Sequence, residues 1–366
     1  MRERAGDRLF LALVLLLAFA GLAIFSSAAL GLLARQSSTI TRDILDQIVF
    51  GLLAGLLALF VFQRLPLSFI KRCAPWAYVA TLILTALVFL PGLGTTANGA
   101  TRWLNVGFTT VQPAEFLKLG VVLMLAWWLA QHARELKDWR KGFAPFLAIV
   151  GLPALLLLLQ PNTSTTLLIL ATGGAMYFVA GAPWRDFGIL VALALVAFGL
   201  VILVRPYVRE RVATFFNPSA NSLSAGYQIQ QSMLAVGSGG VLGKGFGQSV
   251  EKFNYLPEPD GDSVFAVFAE EWGFVGSVAL IALFALLAGR GFAIASASRE
   301  LFGALIALGF STMIAIQAFI NICAMVGIIP LTGLPLPFVS HGGTALLATL
   351  SMCGLILAVA AHRRTA

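Results

Sequence analysis

With 366 residues, 59% of them hydrophobic and 11% charged, and a mean hydropathy of +0.91, this chain is not a soluble domain, in which about a quarter of residues would be charged. Its net charge of +8 is scattered between apolar runs rather than clustered on a polar domain. That excludes nucleic acid as a partner and makes the excess a topology signal. Three cysteines (Cys73, Cys323, Cys353) and three histidines (His132, His341, His362) are too dispersed for a disulfide framework or a zinc site.

Ten apolar runs are long enough to cross a hydrocarbon core of roughly 30 Å: about 9–30, 44–63, 75–92, 113–131, 143–160, 165–181, 187–204, 263–289, 301–329 and 339–361. The first follows MRERAGDR, a basic start like that of a signal peptide. It continues for about 22 residues without a convincing small-residue cleavage site and is expected to be a retained span. The predicted fold class is an all-α polytopic membrane protein, one integral domain over 1–366, with a large loop of about 205–262 between spans seven and eight. An even number of spans puts both termini on one side. Arg2, Arg4, Arg8, Arg64, Lys71, Arg72, Arg134, Lys137, Arg140, Lys141, Arg185, Arg290, Arg299, Arg363 and Arg364 fall on that side, against Arg35, Arg42 and Arg102 in short loops opposite. Lys and Arg collect in the cytoplasm, so both termini are expected there and the large loop outside.

The outward stretches carry the chemistry. Gly94–Gly107, GTTANGATRWLNVG, holds Arg102 and Trp103 and leads into VQPAEFLKLG, where Pro113 suits a first helical turn. Glu115 and Lys118, three apart, share a helix face; they are either an ion pair stitching helices or a pair near substrate. Gln160–Thr166, QPNTSTT, breaks two apolar helices at a proline, and irregular backbone at that depth must be buried in protein or line a hydrated cavity.

The large loop starts RPYVRERVATFFNP, whose basic and aromatic residues suit a helix in the membrane interface. Its glycine run, YQIQQSMLAVGSGGVLGKGFG, is no Walker A motif, because Ser238 and Gly245 stand where that motif needs Gly and Ser or Thr. The small residues allow close backbone packing, or a nest of N–H groups for an anion, with Lys244 and Lys252 nearby as diphosphate partners. Tyr255–Glu271, YLPEPDGDSVFAVFAEE, then gathers five carboxylates: Glu258, Asp260, Asp262, Glu270 and Glu271. With an apolar helical run starting at Ser263, Asp262 is expected at the helix N-cap. Its plain alternative to a functional role is capping alone. The last outward hairpin, IPLTGLPLPFVSHGG, has three prolines and three glycines but no Asp, Glu, Lys or Arg. It reads as a shaped, re-entrant loop in which His341 is a packing residue rather than a catalyst.

In order, GATRWLNVG with QPAEFLKL, QPNTST, YQIQQSMLAVGSGGVLGKGFGQS, YLPEPDGDSVFAVFAEEWG and GIIPLTGLPLPFVSHGGT resemble the SEDS family, FtsW and RodA, which polymerise peptidoglycan. The match runs over residues 98 to 344 and leans towards FtsW. It implies an inverting glycosyltransferase in the bacterial cytoplasmic membrane, with lipid II and an undecaprenyl-diphosphate-linked glycan as substrates. It implies Asp262 as general base, with Asp260 as the fallback. Substrate contacts are expected from Arg102, Trp103, Glu115, Lys118, Gln160, Tyr227, Gln228, Lys244, Lys252 and Ser340, with Arg209 and Arg211 further out. No cofactor is certain; a divalent cation, Mg or Mn, could assist, although no cluster of fixed ligands demands one. The implied partners are a class B penicillin-binding transpeptidase and other divisome or elongasome membrane proteins. Three positions depart from the family's pattern: Asn162 stands for its usual Asp, Asp260-Gly261-Asp262 for His-Thr-Asp, and His341 for Tyr. A RodA-like elongation polymerase and a lipid II flippase are the alternatives, the latter kept open by Glu270 and Glu271 deeper in the span. A pure scaffold for division proteins would have no need of Asp262.

Overall fold

The computed structural model describes residues 7–34, 40–97, 100–107, 109–217 and 225–362. Arg2, Arg4, Arg35, Arg363 and Arg364, part of the charge argument, lie outside the described residues, as do Asn98, Gly99 and residues 218–224 of the loops expected to face outward. Among the described residues ten apolar helical segments follow one another in the predicted order. They are α1 (Arg8–Ala34), α2 (Ile40–Leu45) running through a π-helical turn into α3 (Ala54–Phe62), α4 (Leu67–Ala86), α5 (Pro113–His132), α6 (Ala144–Leu159), α7 (Thr163–Val179), α8 (Trp184–Val204), α12 (Val264–Ser296), α13 (Leu301–Met325) and α14 (Gly343–His362). Among the described residues nine of these segments are long and apolar enough to cross a membrane, and α7, at 17 residues, is shorter.

Burial sorts them. Of the apolar windows, 83% is buried in α14, 67% in α5 and 61% in α13, but none in α8. The first three form the protein-facing centre, and α8 shows its apolar surface outward. Glycines permit the close approach of α14: a Cβ on Gly354 would come within 2.7 Å of the Leu59 carbonyl oxygen.

The chain is not purely helical. Between α4 and α5 lies a three-stranded antiparallel sheet, β1 (Gly94–Ala97), β2 (Ala100–Asn105) and β3 (Thr110–Val111), in the order β1-β2-β3. Gly94 pairs with Leu104, and Leu104 with Val111. Thr and Trp suit a pleated, half-buried surface, and a stretch outside the helices must find its hydrogen bonds elsewhere. The large loop is also largely helical, with α9 (Pro206–Phe216), α10 (Ala225–Ser238) and α11 (Glu251–Asn254). The first of these coincides with the expected interfacial helix.

The glycine run serves the backbone of α12, which breaks at Gly273 (φ 65°). Lys244 and Gly245 donate their N–H groups to the carbonyls of Glu270 and Glu271 at 3.0 and 2.9 Å, and Phe274 N–H donates to Gly240 at 2.9 Å. Carbonyls freed by the break thus find partners in the loop, as a broken helix at membrane depth requires. Of the two roles open to those glycines, close backbone packing is the one observed.

Candidate active site

The helix ends on the side of the large loop enclose a cavity of about 1440 Å³. Arg102 and Trp103 reach it from β2, Glu115 from the first turn of α5, Asn162 from the α6–α7 break, Asp262 from the approach to α12, and His341 from the approach to α14. The N-terminal ends of α5, α7, α9 and α14 all border this space. Free N–H groups and the positive end of the helix dipole favour anions there.

Asp262 stands one residue outside the cap expected for it. Helix α12 opens at Val264, and Ser263 occupies the N-cap position without a side-chain cap bond. The chain turns once more before the helix, with Gly261 N–H on the Glu258 carbonyl at 3.1 Å, and Asn321 Nδ2 donates to the Asp262 carbonyl at 2.9 Å. The carboxylate is therefore free to face the cavity. Gln228 Nε2 donates to its Oδ1 at 3.1 Å and to Ser263 Oγ at 2.9 Å. Burial and the nearby Glu258 push its pKa up to about 6, against the opposing pull of Arg211 and Gln228. A carboxylate so placed changes charge close to neutral pH, as a general base should.

A basic wall faces it. Arg102 donates to the carbonyls of Gln160 and Pro161, and Arg205 Nη2 to that of Leu158 at 3.3 Å. Both guanidinium groups thus satisfy carbonyls left open where α6 ends, while still lining the cavity. Arg211 donates to the Leu331 carbonyl at 3.3 Å. Burial, then the charge of Arg211, lowers the pKa of Arg102, with Tyr207 opposing. The mutual repulsion is the condition in which a cluster of cations gains most from an anionic guest.

Glu115 and Lys118 form a buried ion pair at 2.7 Å. Lys118 Nζ also donates to Gln317 Oε1 at 2.9 Å, and Gln317 Nε2 to the Pro335 carbonyl at 2.8 Å. The chain of contacts ties α5 through α13 to the last hairpin, with Glu115 at its cavity end. Asp43, Asp46, Glu258 and His341 also line the cavity. Asp260, buried behind them, has its pKa raised by burial and held down by the neighbouring His341.

The other expected contacts lie elsewhere. Lys244 is paired with Glu270 at 2.6 Å and Lys252 with Glu271 at 2.6 Å, and neither lysine lines the cavity. The pairs also occupy the two deep acids on which a carrier would depend. Tyr227 is half-buried on α10 away from the cavity, unlike its neighbour Gln228. Gln160 is buried, its Nε2 on the Thr85 carbonyl at 2.7 Å, and contributes its backbone carbonyl to Arg102. Ser340 Oγ accepts from Leu336 N–H at 2.8 Å and shapes the hairpin. Arg209 does not reach the cavity, whereas Arg211 does. Sequence reasoning missed Asp43, Asp46, Arg205, Tyr207 and Asn321. Among the described residues no group of three or more His, Cys, Asp or Glu side chains is arranged to hold a metal ion.

Comparison with known proteins agrees with this architecture. The profile of the FtsW, RodA and SpoVE family, described as "Cell cycle protein", matches residues 7–365. Stage V sporulation protein E of Bacillus subtilis is 38% identical over 310 residues, 85% of each chain. A probable peptidoglycan glycosyltransferase FtsW of Thioalkalivibrio sp. is 38% identical over 356 residues, covering 96% of this chain and 89% of that one. Among solved structures, a chain from "Structural coordination of polymerization and crosslinking by a peptidoglycan synthase complex" superposes with a TM-score of 0.81 at 34% identity, over 99% of both chains. The rod shape determining protein RodA of Thermus thermophilus gives 0.71 at 31% identity, over 98% of both.

Proposed function

The chain belongs to the family of FtsW, RodA and SpoVE, and on that footing we propose that it is a peptidoglycan glycosyltransferase, polymerising lipid II at the outer face of the bacterial cytoplasmic membrane in the septal role of FtsW. The observation that carries the reading is Asp262: a half-buried carboxylate on the cavity wall, held by Gln228 and raised to about 6.

A sugar hydroxyl is a poor nucleophile near neutral pH. Asp262 takes the proton of the acceptor's 4-hydroxyl as that oxygen attacks the donor's anomeric carbon, and the bond to the lipid diphosphate breaks with inversion. A positioned base of this kind contributes typically ~10²–10⁴-fold. Charge grows on the departing diphosphate, and Arg102, Arg205 and Arg211 with the surrounding helix N-termini supply the compensating field. A Mg or Mn ion acting here would draw most of its shell from substrate phosphates and water, with one or two carboxylates such as Asp43 and Asp46. Both lipid-linked substrates keep their tails in the bilayer while their headgroups enter from the outer side, which requires both termini in the cytoplasm. Partnership with a class B transpeptidase follows from coupling polymerisation to crosslinking, and the outward apolar surface of α8 leaves room for a partner's span.

The test is purified protein given lipid II, alone and with its transpeptidase, with glycan length read on gels. Polymer made by the wild type and lost in Asp262→Asn supports the proposal. Movement of lipid II across vesicles without polymer overturns it.

A further inference from the structure

The loop that presents Asp262 is joined to the last hairpin by one residue pair that the reaction itself does not use. His341 N–H donates to the Asp260 carbonyl at 2.6 Å. Its ring nitrogen Nδ1 lies 3.7 Å from Asp260 Oδ2, within ion-pair range. The ring stacks on Phe25 of α1, with centroids 5.7 Å apart, so its orientation is fixed from a third element. Ser340 and Gly342, either side of it, are held by Gln47: Gln47 Nε2 donates to the Ser340 carbonyl at 3.3 Å, and Gly342 N–H donates to Gln47 Oε1 at 2.9 Å. The hairpin end is thus clamped, and Asp260 is the point at which the Asp262 loop is fastened to it.

We propose that His341 is a positioning residue for the base: it holds Asp260, and through the two-residue step Asp260-Gly261-Asp262 it sets where the Asp262 carboxylate stands in the cavity. This rests on the glycosyltransferase reading of the cavity. Gly261 gives the link little stiffness of its own, so the register of Asp262 depends on what anchors its two sides. Asn321 anchors the Asp262 carbonyl; the Asp260–His341 pair anchors the other side.

The backbone bond from His341 to Asp260 does not change with pH, but the side-chain pair does. Imidazole is the side chain that ordinarily changes charge between pH 5 and 8. Among the described residues the charges acting on Asp260 besides His341 are Glu258 from the same loop and Asp43 from the start of the second span, while α1 presents Phe25 to the ring and Asp46, Arg102, Arg205 and Arg211 line the same cavity. Loss of the imidazole proton leaves Asp260 buried beside Glu258 and Asp43 without the imidazolium, and the fastening slackens. Burial already raises the Asp260 carboxyl, and His341 is what holds it down. The side-chain ion pair needs Asp260 ionised and the imidazole protonated at the same time.

The experiment is the pH profile of polymerisation for wild type, His341→Gln, His341→Lys, Asp260→Asn and the double variant Asp260→Asn/His341→Gln. At pH 7, His341→Gln and Asp260→Asn should each lower kcat roughly 10-fold, less than the 10² typical of a base displaced by an ångström, with KM within about twofold. The double variant should be no worse than either single one. Wild type should lose rate above the imidazolium range and converge on the variants, while His341→Lys keeps its rate there. A high-pH limb unchanged in every variant, or losses that multiply in the double, overturns the proposal and returns His341 to packing. Amide hydrogen exchange over 258–263, compared at pH 6 and pH 8.5 after correction for intrinsic rates, needs no turnover. Faster exchange at pH 8.5 in wild type and none in His341→Lys supports the pair; identical behaviour in both overturns it. If exchange behaves as expected but wild type makes no polymer, it is the glycosyltransferase reading that fails.

Discussion

Lys252 Nζ lies 2.6 Å from Glu271 Oε1 with both side chains sealed from solvent, and Ser27 Oγ bonds to both, at 3.0 Å to the lysine and 2.7 Å to the carboxylate. One contact therefore joins α1, α11 and the broken helix α12 just before its break at Gly273. The pair fastens the large loop to the span that the loop's glycines repair. Removing one partner leaves the other charge buried, which costs about 3–5 kcal/mol. Lys252→Met and Glu271→Gln should each lower the melting temperature in detergent by several degrees, and the double variant should lose less than the two singles combined. Strictly additive losses would show that the two side chains are not energetically paired.

A second expectation concerns Arg102, whose guanidinium holds the carbonyls of Gln160 and Pro161 while lining the cavity. A lysine offers a point charge and cannot bridge two carbonyls with one planar fork. Arg102→Lys should therefore show two defects: a lower melting temperature, by about 2–4 °C per kcal/mol lost in a chain this long, and a raised KM for lipid II. A folded Arg102→Lys protein with wild-type KM would remove Arg102 from the substrate side and leave it a helix-end partner only.

What the sequence made legible follows from what lipid demands. A span must be long and apolar, so the ten helices are visible in hydropathy. The places where polar residues interrupt that pattern are where the cavity forms. Asp262, Arg102, Glu115 and Gln228 all come from such interruptions. Lys244 and Lys252 are ion-paired with Glu270 and Glu271, which lie 26 and 19 residues on, and only the fold shows that pairing. Asp43 and Asp46 went unnoticed because acids in a first helical turn are ordinary complements of the helix dipole. The small sheet had a signal that was passed over: Asn98-Gly99 between Thr-rich flanks is a strong hairpin pattern.

The Glu115–Lys118 pair gives a third measurement. Both side chains are buried at 2.7 Å, and Lys118 is also bonded to Gln317. Glu115→Gln leaves a buried ammonium with only an amide partner, and Lys118→Met leaves a buried carboxylate. Each should destabilise more than the charge-swapped double Glu115→Lys/Lys118→Glu, read as melting temperature across the cycle. If the swapped protein is as unstable as the sum of the singles, the pair is not what joins α5 to the last hairpin, and Lys118 returns to consideration as a phosphate contact.

Asp262 decides the mechanism, and its environment makes two opposite predictions for one substitution. Its pKa in the folded protein is raised to about 6, above the ordinary carboxylate value of about 3.9. The folded state therefore holds that proton to higher pH than the unfolded chain, and stability is lost as pH rises between those two values. Above pH 6 the full cost, on the order of 2 kcal/mol once partial exposure is allowed for, is present. Asp262→Asn is neutral at every pH and keeps the shape, so it should melt higher than wild type at pH 7.5 and lose that advantage near pH 4. The same variant cannot take a proton from the acceptor hydroxyl and should make no glycan from lipid II. In wild type, kcat should fall about tenfold for each pH unit below 6, as the base is protonated. Asp262→Glu should also be poor, because one added methylene moves the carboxylate by about 1 Å, enough to cost on the order of 10²-fold. A stabilised Asp262→Asn protein that still polymerises would show that the burial is real but the base lies elsewhere, and Asp260, two residues away, would be the next residue to replace.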